Sequence, residues 1–188
     1  MKFNYLFLFV ILASLTGCPN KNNNVKPTQE QTPVQAQAVQ HTGTGTLVIK
    51  PIVFKKDSYI RDAVKNECNL TGKLTQFIEK NASSQYANIL TDSNSKQRNA
   101  QTLSITIEEV QGGGGGAWSG AKSVVVKGKL TQNGRVLGDF RGRRYSGGGM
   151  FGAYKGTCAI LGRCVRTLGK DIAAWLQNPS SKAVLGDM

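Results

Sequence analysis

The chain has 188 residues, of which 24 are basic and 11 acidic, so its formal net charge at pH 7 is +13. It contains 22 glycines, four cysteines and one histidine. The histidine, His41, precedes the region predicted to be globular, which excludes histidine-based catalytic dyads, triads and metal sites from the folded part. Once the N-terminal segments below are set aside, the remaining length suffices for a single domain.

The N-terminus has the pattern of an export signal. Lys2 precedes an almost wholly apolar stretch, residues 5–15, which is too short to span a bilayer as a helix. The motif LTGC follows at residues 15–18, and here the sequence resembles a bacterial lipoprotein precursor, in which small residues precede an invariant cysteine. The resemblance implies that residues 1–17 are removed and that Cys18 carries a thioether-linked diacylglycerol and an acylated amine.

The same resemblance implies where the protein resides. Several acyl chains hold a protein durably on a membrane, whereas a single chain gives only marginal binding. Pro19 follows the lipidated cysteine, at the position where aspartate favours retention at the inner membrane. By analogy with the family, we expect anchoring at the periplasmic face of the outer membrane. The ordinary alternative is a secretory signal peptide with a chance cysteine.

Residues 18–45, which begin with the lipidated cysteine, are predicted to be a disordered tether. Residues 19–45 contain five Gln, four Asn, four Thr, three Pro and no aromatic residue. Such a segment buries too little apolar surface to offset the entropy lost on ordering. A flexible chain of this length has a root-mean-square reach on the order of 30 Å. Residues 46–188 then form the single periplasmic domain.

The predicted domain begins with a strand and two helices. Residues 46–54 have strand character, and Pro51 indicates an edge position or a bulge. Apolar residues recur every four positions over residues 58–68, which predicts a short helix. A second helix is expected over residues 70–82, with Gly72 marking the break between the two.

Residues 122–145 predict a β-hairpin around a central Asn-Gly pair. A two-residue turn pairs Gln132 with Arg135 and sets valines of the first strand opposite arginines of the second. A three-residue loop pairs Thr131 with Arg135, which separates apolar from charged residues and places the glycine in a left-handed conformation. We therefore predict the three-residue loop.

Two further elements complete the predicted fold. Apolar and polar residues alternate over positions 103–107, which predicts a half-buried strand. Apolar residues spaced by three and four between Cys158 and Trp175 predict an amphipathic helix of about five turns that ends near Pro179. The order of elements predicts an α+β fold: an antiparallel sheet of about four strands, covered on one face by helices, and a long amphipathic helix at the end.

Three cysteines remain beside the lipidated Cys18, and an odd number in an oxidising compartment leaves one thiol unpaired. Cys68 ends the first predicted helix and Cys158 begins the last, both on apolar sides. We therefore favour a disulfide between Cys68 and Cys158, with Cys68 and Cys164 as the alternative. Cys158 and Cys164 are too far apart along one helix to pair readily.

Two glycine-rich loops flank the hairpin, at residues 111–120 and 146–156. Antiparallel pairing brings both loops to the same end of the sheet. The first nearly matches a phosphate-binding loop, but a strand rather than a helix follows it, which excludes that function. The apolar side chains of the loops are expected to form a contact surface for a partner or lipid, or alternatively to plug the end of the sheet. They are Trp118, Met150, Phe151 and Tyr154.

Basic residues are concentrated in the second half of the domain, where residues 121–170 hold eleven basic residues and one acidic residue. On the hairpin, Lys127, Lys129, Arg141 and Arg143 share one alternation face and are predicted to form a cationic stripe toward solvent. Nucleic acid is the usual partner of such a stripe, but an exported lipoprotein seldom meets it. Anionic lipid head groups, lipopolysaccharide phosphates or peptidoglycan carboxylates are the expected ligands. A basic surface without a dedicated ligand is the alternative.

The sequence offers no catalytic constellation, cofactor motif or metal site. Glu108 and Glu109 are neighbours on a strand, so their carboxylates are expected to point to opposite faces. Ser146 and Lys155 lack a recognisable catalytic motif. With its lipid anchor, tether and compact α+β domain, the chain resembles small auxiliary lipoproteins of envelope transport and assembly systems. We predict a non-enzymatic lipoprotein that binds an envelope protein or an anionic lipid or glycan; a purely structural lipoprotein and an envelope hydrolase are the alternatives.

Overall fold

The structure, a computed structural model, describes residues 43–91, 97–112, 121–147 and 156–188. In chain order the elements are β1 (Thr46–Ile49), β2 (Val53–Phe54), α1 (Asp62–Glu67), α2 (Leu70–Ala82), β3 (Asn88–Leu90), β4 (Gln101–Gln111), β5 (Lys122–Gln132), β6 (Arg135–Ser146), α3 (Thr157–Gln177) and β7 (Ala183–Gly186). The predicted α+β class is confirmed, including the long C-terminal helix α3.

All of these strands belong to one mixed sheet of seven strands, so the prediction of about four antiparallel strands is wrong. The strand order is β3-β1-β4-β5-β6-β7, and β2 also pairs with β4. The long strands β4, β5 and β6 are antiparallel, whereas β1, β2, β3 and β7 join the sheet through parallel pairs. Parallel neighbours need a crossover connection, which α1 and α2 supply before β3 and α3 supplies before β7.

Pro51 divides the strand predicted over residues 46–54 into β1 and β2. The amide of Lys50 donates to the carbonyl of Leu103 at 2.9 Å, and the amide of Lys55 donates to the carbonyl of Ile107 at 2.8 Å. The chain therefore follows β4 on both sides of the proline. The interruption arises because proline has no backbone N–H to donate to a neighbouring strand.

The break between α1 and α2 lies at Asn69, so the predicted break at Gly72 is wrong. Asn69 has φ 45° and ψ 47°, a left-handed conformation that stops the first helix. Gly72 lies inside α2. Asparagine tolerates the left-handed region better than other residues with a Cβ, so glycine was not needed here.

The predicted three-residue hairpin loop is also wrong. Gln132 pairs with Arg135 across a two-residue turn. Asn133 and Gly134 in that turn both have positive φ, at 49° and 79°. This is the conformation that Asn-Gly sequences favour, because its twist matches the twist of the flanking strands.

A bulge in β6 explains how this turn remains compatible with the core. The register between β5 and β6 shifts next to the turn, and Leu137 is the extra residue on β6. Beyond the bulge, Val126 lies opposite Gly142 and Lys127 lies opposite Arg141. Near the turn the extra residue thus separates apolar from charged side chains, which was the reason for predicting the longer loop, whereas two valines farther along β5 still lie opposite Arg143 and Arg144.

The core lies between one face of the sheet and helices α2 and α3, and small residues make room for large ones. A Cβ at Gly128 would lie 2.2 Å from the ring of Phe140, so the absence of a side chain at Gly128 makes room for this ring. Phe140 in turn meets Trp175 of α3 edge-on, with ring centroids 4.8 Å apart. Gly169 of α3 lies directly against Phe77 of α2, which lets the two helices approach closely.

The described part of the chain begins at one end of the sheet, and we call this end the tether end. Gly43, the first described residue, lies against the backbone of Gln85, just after α2. Strands β1 and β4 begin at this end, and the hairpin turn is also here, because Leu47 pairs with Gln101 and Gln101 with Gln132.

The opposite end, which we call the loop end, carries the described residues that flank both glycine-rich loops. Lys122 at the start of β5 pairs with Ser146 at the end of β6. Thr157 at the start of α3 is next to Gly112, which follows β4. The long strands place about 35 Å between the two ends. Both loops therefore leave the described chain at the end that is remote from Gly43.

Candidate functional site

The four predicted basic residues of the hairpin lie on the same face of the sheet, which is the face turned away from the core. Lys127, Lys129 and Arg141 are exposed, and Arg143 is half-buried. The alternation of β5 and β6 places them there, because the neighbouring positions point toward α3. The predicted grouping of these side chains is thus present in the structure.

A row of paired residues crosses this face from one side of the sheet to the other. Val53 pairs with Thr106, Thr106 with Lys127, Lys127 with Arg141, and Arg141 with Val184. The two valines are 53% and 66% exposed, so apolar side chains flank a charged centre. We use the name hairpin face for Val53, Thr106, Lys127, Lys129, Arg141, Arg143 and Val184.

Carboxylates offset much of the predicted positive stripe. Nε of Arg141 donates to Oε2 of Glu108 at 2.8 Å, and Nη2 donates to Oε1 of Glu109 at 3.2 Å. The hydrogen bond with Glu108 raises the pKa of Arg141 above its ordinary value. Asp139 also lies opposite Lys129. The hairpin face is therefore a surface of mixed charge, because β4 and β6 bring three carboxylates beside the cations.

Glu108 and Glu109 converge, which corrects the expectation that they point to opposite faces. The register of β4 against β5 shifts between Ile107 and Glu109, and strand alternation fails at such a bulge. One guanidinium, that of Arg141, binds both carboxylates and ties β6 to β4 across β5. The two carboxylates thus form an ion-pair cluster rather than a free acid–base pair.

Arg143 has a different environment from the other three cations. Its guanidinium carbon lies 4.3 Å from the ring centroid of Tyr145, a cation–π contact close to the loop end. Tyr145 is itself 43% exposed. An aromatic ring and a cation therefore lie together on the described surface near the loop end.

A cavity of about 470 Å³ lies beside the carboxylates that hold Arg141. It is formed between the segment before α1 and the end of β4, and its lining includes Lys55, Asp57, Tyr59 and Gln111. The hydroxyl of Ser58, also in the lining, is buried without a hydrogen-bond partner in the described part of the chain. The cavity adds polar groups and an exposed tyrosine to this side of the molecule.

A disulfide joins Cys68, at the end of α1, to Cys158, in the first turn of α3. This is the pair favoured from the sequence, so the alternative bond from Cys68 to Cys164 is wrong. Cys164 is free and buried, and its Sγ donates to the carbonyl of Lys122 at 3.5 Å. Burial raises the pKa of Cys164 to about 11. A buried thiol that stays protonated is a packing residue rather than a nucleophile.

Arg144 anchors a charge cluster that the sequence did not reveal. On the core side of β6, its guanidinium donates to both carboxylate oxygens of Asp171, at 2.7 and 2.9 Å, and to Asp187 at 2.8 Å. The hydrogen bonding with Asp171 raises the pKa of Arg144. The partners are 27 and 43 positions away, so no local pattern connects them.

Several predicted site residues fall outside the residues that the structure describes: Cys18, Trp118, Met150, Phe151, Tyr154 and Lys155. Their roles stay predictions. Within the four described ranges, no three His, Cys, Asp or Glu side chains are grouped in a way that would hold a metal ion. Among the helices described, none combines the length and the apolar character needed to cross a membrane.

No family model and no curated protein sequence matches the chain. Among solved structures, a crystal structure of an uncharacterized protein superposes with a TM-score of 0.52 and 13% identity, over 73% of this chain and 95% of that chain.

Two named structures superpose less well. The PelC dodecamer from Paraburkholderia phytofirmans gives a TM-score of 0.43 with 14% identity, over 71% of this chain and 89% of that chain. The lipoprotein GNA1162 from Neisseria meningitidis gives 0.41 with 17% identity, over 69% of this chain and 99% of that chain. The comparisons therefore show that this α+β fold occurs in other proteins, and they identify no family for the chain.

Proposed function

We propose that the chain is a non-enzymatic lipoprotein, anchored at the periplasmic face of the outer membrane through Cys18, whose domain binds a protein partner through the hairpin face. The observation that carries the proposal is the row from Val53 to Val184, in which exposed valines flank a charged centre. Protein interfaces combine an apolar contact with polar groups that set specificity.

The charges of this face favour a protein over a polyanion. A polyanion binds best to cations without competing carboxylates, whereas Arg141 already binds Glu108 and Glu109, and Asp139 lies opposite Lys129. Alternating signs of charge instead select a partner with a complementary pattern and repel others.

The glycine-rich loops extend the proposed contact. Their described flanks lie at the loop end, beside Tyr145 and Arg143 and about 35 Å from the tether end. The membrane anchor would therefore not obstruct a partner that binds at the loop end. In this proposal the apolar loop residues supply the anchoring side chains of the interface. They are Trp118, Met150, Phe151 and Tyr154.

Site-specific photocrosslinking in living cells tests the partner. A photoreactive amino acid at Val184 is expected to give a discrete adduct with a second protein, which mass spectrometry identifies. The matched control carries the same group at Ala174, an exposed position on the helix side of the domain. Adducts with other copies of this chain alone, or the same adducts from both positions, would contradict the proposal and favour a structural role.

A charge reversal links the adduct to the hairpin face. Arg141→Glu places a third carboxylate beside Glu108 and Glu109 and is expected to weaken the adduct from Val184. Lys56→Glu, at an exposed position outside the face, serves as the control. Equal adduct yields from both variants would show that the hairpin face does not hold the partner.

Metabolic labelling tests the anchor separately. Cells given an alkyne-bearing fatty acid are expected to label the chain, and Cys18→Ser is expected to abolish both the label and recovery in the outer-membrane fraction. Labelling that survives the substitution would show that the lipid is attached elsewhere.

A further inference from the structure

A second charged surface lies on the helix side of the domain and differs from the hairpin face in that its lining contains no carboxylate. Helices α2 and α3 border a groove of about 400 Å³ lined by Phe77, Lys80, Asn81, Arg166 and Lys170. We call these five residues the helix groove. In the part of the chain that the structure describes, none of its three cations forms an ion pair.

The packing of the two helices fixes the arrangement of this groove. Gly169 lets α3 lie against Phe77 of α2. Arg166 and Lys170 lie one turn apart on α3, and the guanidinium carbon of Arg166 is 5.5 Å from the centroid of the Phe77 ring. The side-chain amide of Asn81 donates to the carbonyl of Phe77 at 2.6 Å. A half-buried aromatic ring is thus held between exposed cations.

The helix groove is close to the point where the N-terminal segments enter the domain. Lys80 lies in the last turn of α2, which ends at Ala82. Gln85 follows shortly after and lies against Gly43, and its side-chain amide donates to the carbonyl of Ala173 on α3 at 2.9 Å. The chain that leads to the proposed lipid anchor therefore starts beside this groove.

We propose that the helix groove docks onto the anionic phospholipid head groups of the membrane that holds the anchor. Cations that form no ion pair are attracted to an anionic leaflet, and an apolar ring beside them suits the boundary between head groups and acyl chains. The groove is open and its cations are exposed. Such a site suits the extended anionic surface of a membrane better than a single enclosed phosphate ion. The choice of a membrane as the ligand depends on the lipid anchor that is part of the proposed function.

Docking through the helix groove explains how the two surfaces act together. The helix layer and the hairpin face are on opposite sides of the sheet, so a domain that rests on the membrane through α2 and α3 turns the hairpin face away from it. The same contact would hold the domain near the membrane despite the long tether.

Chemical footprinting of the intact lipidated chain tests this docking. The chain is reconstituted in vesicles of phosphatidylcholine alone or mixed with phosphatidylglycerol, and its exposed lysines are acetylated and quantified by mass spectrometry. Lys80 and Lys170 are expected to react several-fold more slowly in the phosphatidylglycerol vesicles. Lys127 and Lys129 on the opposite face are the internal controls and are expected to be unchanged. High salt is expected to remove the protection.

A pair of substitutions assigns the protection to the groove. Arg166→Ser is expected to weaken the docking equilibrium about fivefold, the usual contribution of one basic residue near an anionic leaflet. Lys127→Ser removes one exposed charge from the other face and is expected to leave the protection of Lys80 and Lys170 intact. Both positions are exposed, and thermal unfolding checks that each variant is folded.

The outcomes separate this inference from the proposed function. Protection of Lys127 and Lys129 instead, equal protection of all lysines, or no effect of phosphatidylglycerol would overturn the docking. Inorganic phosphate that protects Lys80 and Lys170 equally well in phosphatidylcholine vesicles would show a site for a soluble anion and overturn it too. Failure to float with phosphatidylcholine vesicles contradicts the lipid anchor, whereas protection that depends on phosphatidylglycerol supports the groove in either case.

Discussion

Arg141 and Arg144 on β6 each bind two carboxylates, yet they contribute to the molecule in different ways. The side chain of Arg141 is 47% exposed and that of Arg144 27%, whereas their partners Glu108 and Asp171 are equally shielded, at 19% and 18%. Solvent screens Arg141 more than Arg144. Arg141 makes one hydrogen bond to each of its carboxylates, whereas Arg144 binds Asp171 through two, so the first cluster adds less stability. The second cluster fastens α3 and Asp187, which follows β7, to the sheet.

We expect Arg144→Ala to lower the free energy of unfolding by about 1–3 kcal/mol, because it leaves the shielded carboxylate of Asp171 without its partner. The figure lies below the range for fully buried pairs because both side chains retain some exposure. Arg141→Ala is the matched control and is expected to cost less than about 1 kcal/mol. Urea denaturation measures both, and equal losses would contradict this difference between the two arginines.

The buried thiol of Cys164 gives stability a dependence on pH. Burial raises its pKa from 9.0 to about 11, so the folded chain holds this proton more tightly than the unfolded chain. The resulting stabilisation is complete below pH 9 and is lost as the pH rises toward 11. Cys164→Ala is therefore expected to reduce the fall in unfolding free energy over this interval by about 2–3 kcal/mol.

Urea denaturation at pH 7, 9 and about 11 checks this expectation. Burial also raises the pKa of Tyr86 to about 12. This tyrosine is present in both the parent protein and the Cys164→Ala variant, so it affects both alike. If the unfolding free energies of the parent and the Cys164→Ala variant fall in parallel as the pH rises, Cys164 does not titrate in this way.

At the scale of the elements, α3 carries two glycines with opposite surroundings. A Cβ at Gly169 would lie 2.6 Å from Cβ of Phe77, whereas a Cβ at Gly162 would have no atom within 4 Å. Replacing glycine by alanine favours a helix equally at both positions. A difference between the two substitutions therefore isolates the close approach of α2 and α3.

We expect Gly162→Ala to raise the free energy of unfolding by about 0.5–1 kcal/mol. Gly169→Ala is expected to lower it by about 1–3 kcal/mol, because the added methyl group forces the helices apart. Thermal unfolding followed by circular dichroism measures the two changes. A stabilising Gly169→Ala would indicate that the helices are not in close contact.

At the scale of the whole molecule, the disulfide joins residues that are 90 positions apart and connects α1 to the start of α3. Replacing both Cys68 and Cys158 by alanine is expected to lower the free energy of unfolding by about 2–5 kcal/mol, because the unfolded chain loses a long closed loop. Unfolding with and without a reductant measures the effect. The reductant is expected to destabilise the parent chain and the Cys164→Ala control, and to leave the double variant unchanged.

The two surfaces of the molecule depend on one arrangement of layers. The sheet carries the hairpin face on one side and packs α2 and α3, with the helix groove, on the other. Neither surface is continuous in sequence, since the hairpin face draws on β2, β4, β5, β6 and β7. A partner on one side and a membrane on the other are therefore compatible with a single domain.

Features that follow from local patterns could be predicted from the amino-acid sequence. Apolar spacing predicted α3, and the Asn-Gly pair predicted a hairpin. Pro51 indicated an irregular position in the first strand, either an edge or a bulge. The favoured disulfide followed from two cysteines on the apolar sides of separate helices. The predicted lipidation of Cys18 also rests on a local motif, so the proposal of an anchor uses no tertiary information.

Features that depend on residues far apart in the chain could not be predicted before the packing of the elements was known. The bulge at Leu137 set the hairpin register, β7 joined the sheet as a parallel strand, and the bulge at Glu108 turned two carboxylates onto Arg141. Bulges and parallel pairs depend on the fit of whole elements, which no short stretch of sequence encodes. For the same reason, the charge of the hairpin face and the cations of the helix groove became apparent only once the strands and helices were packed together.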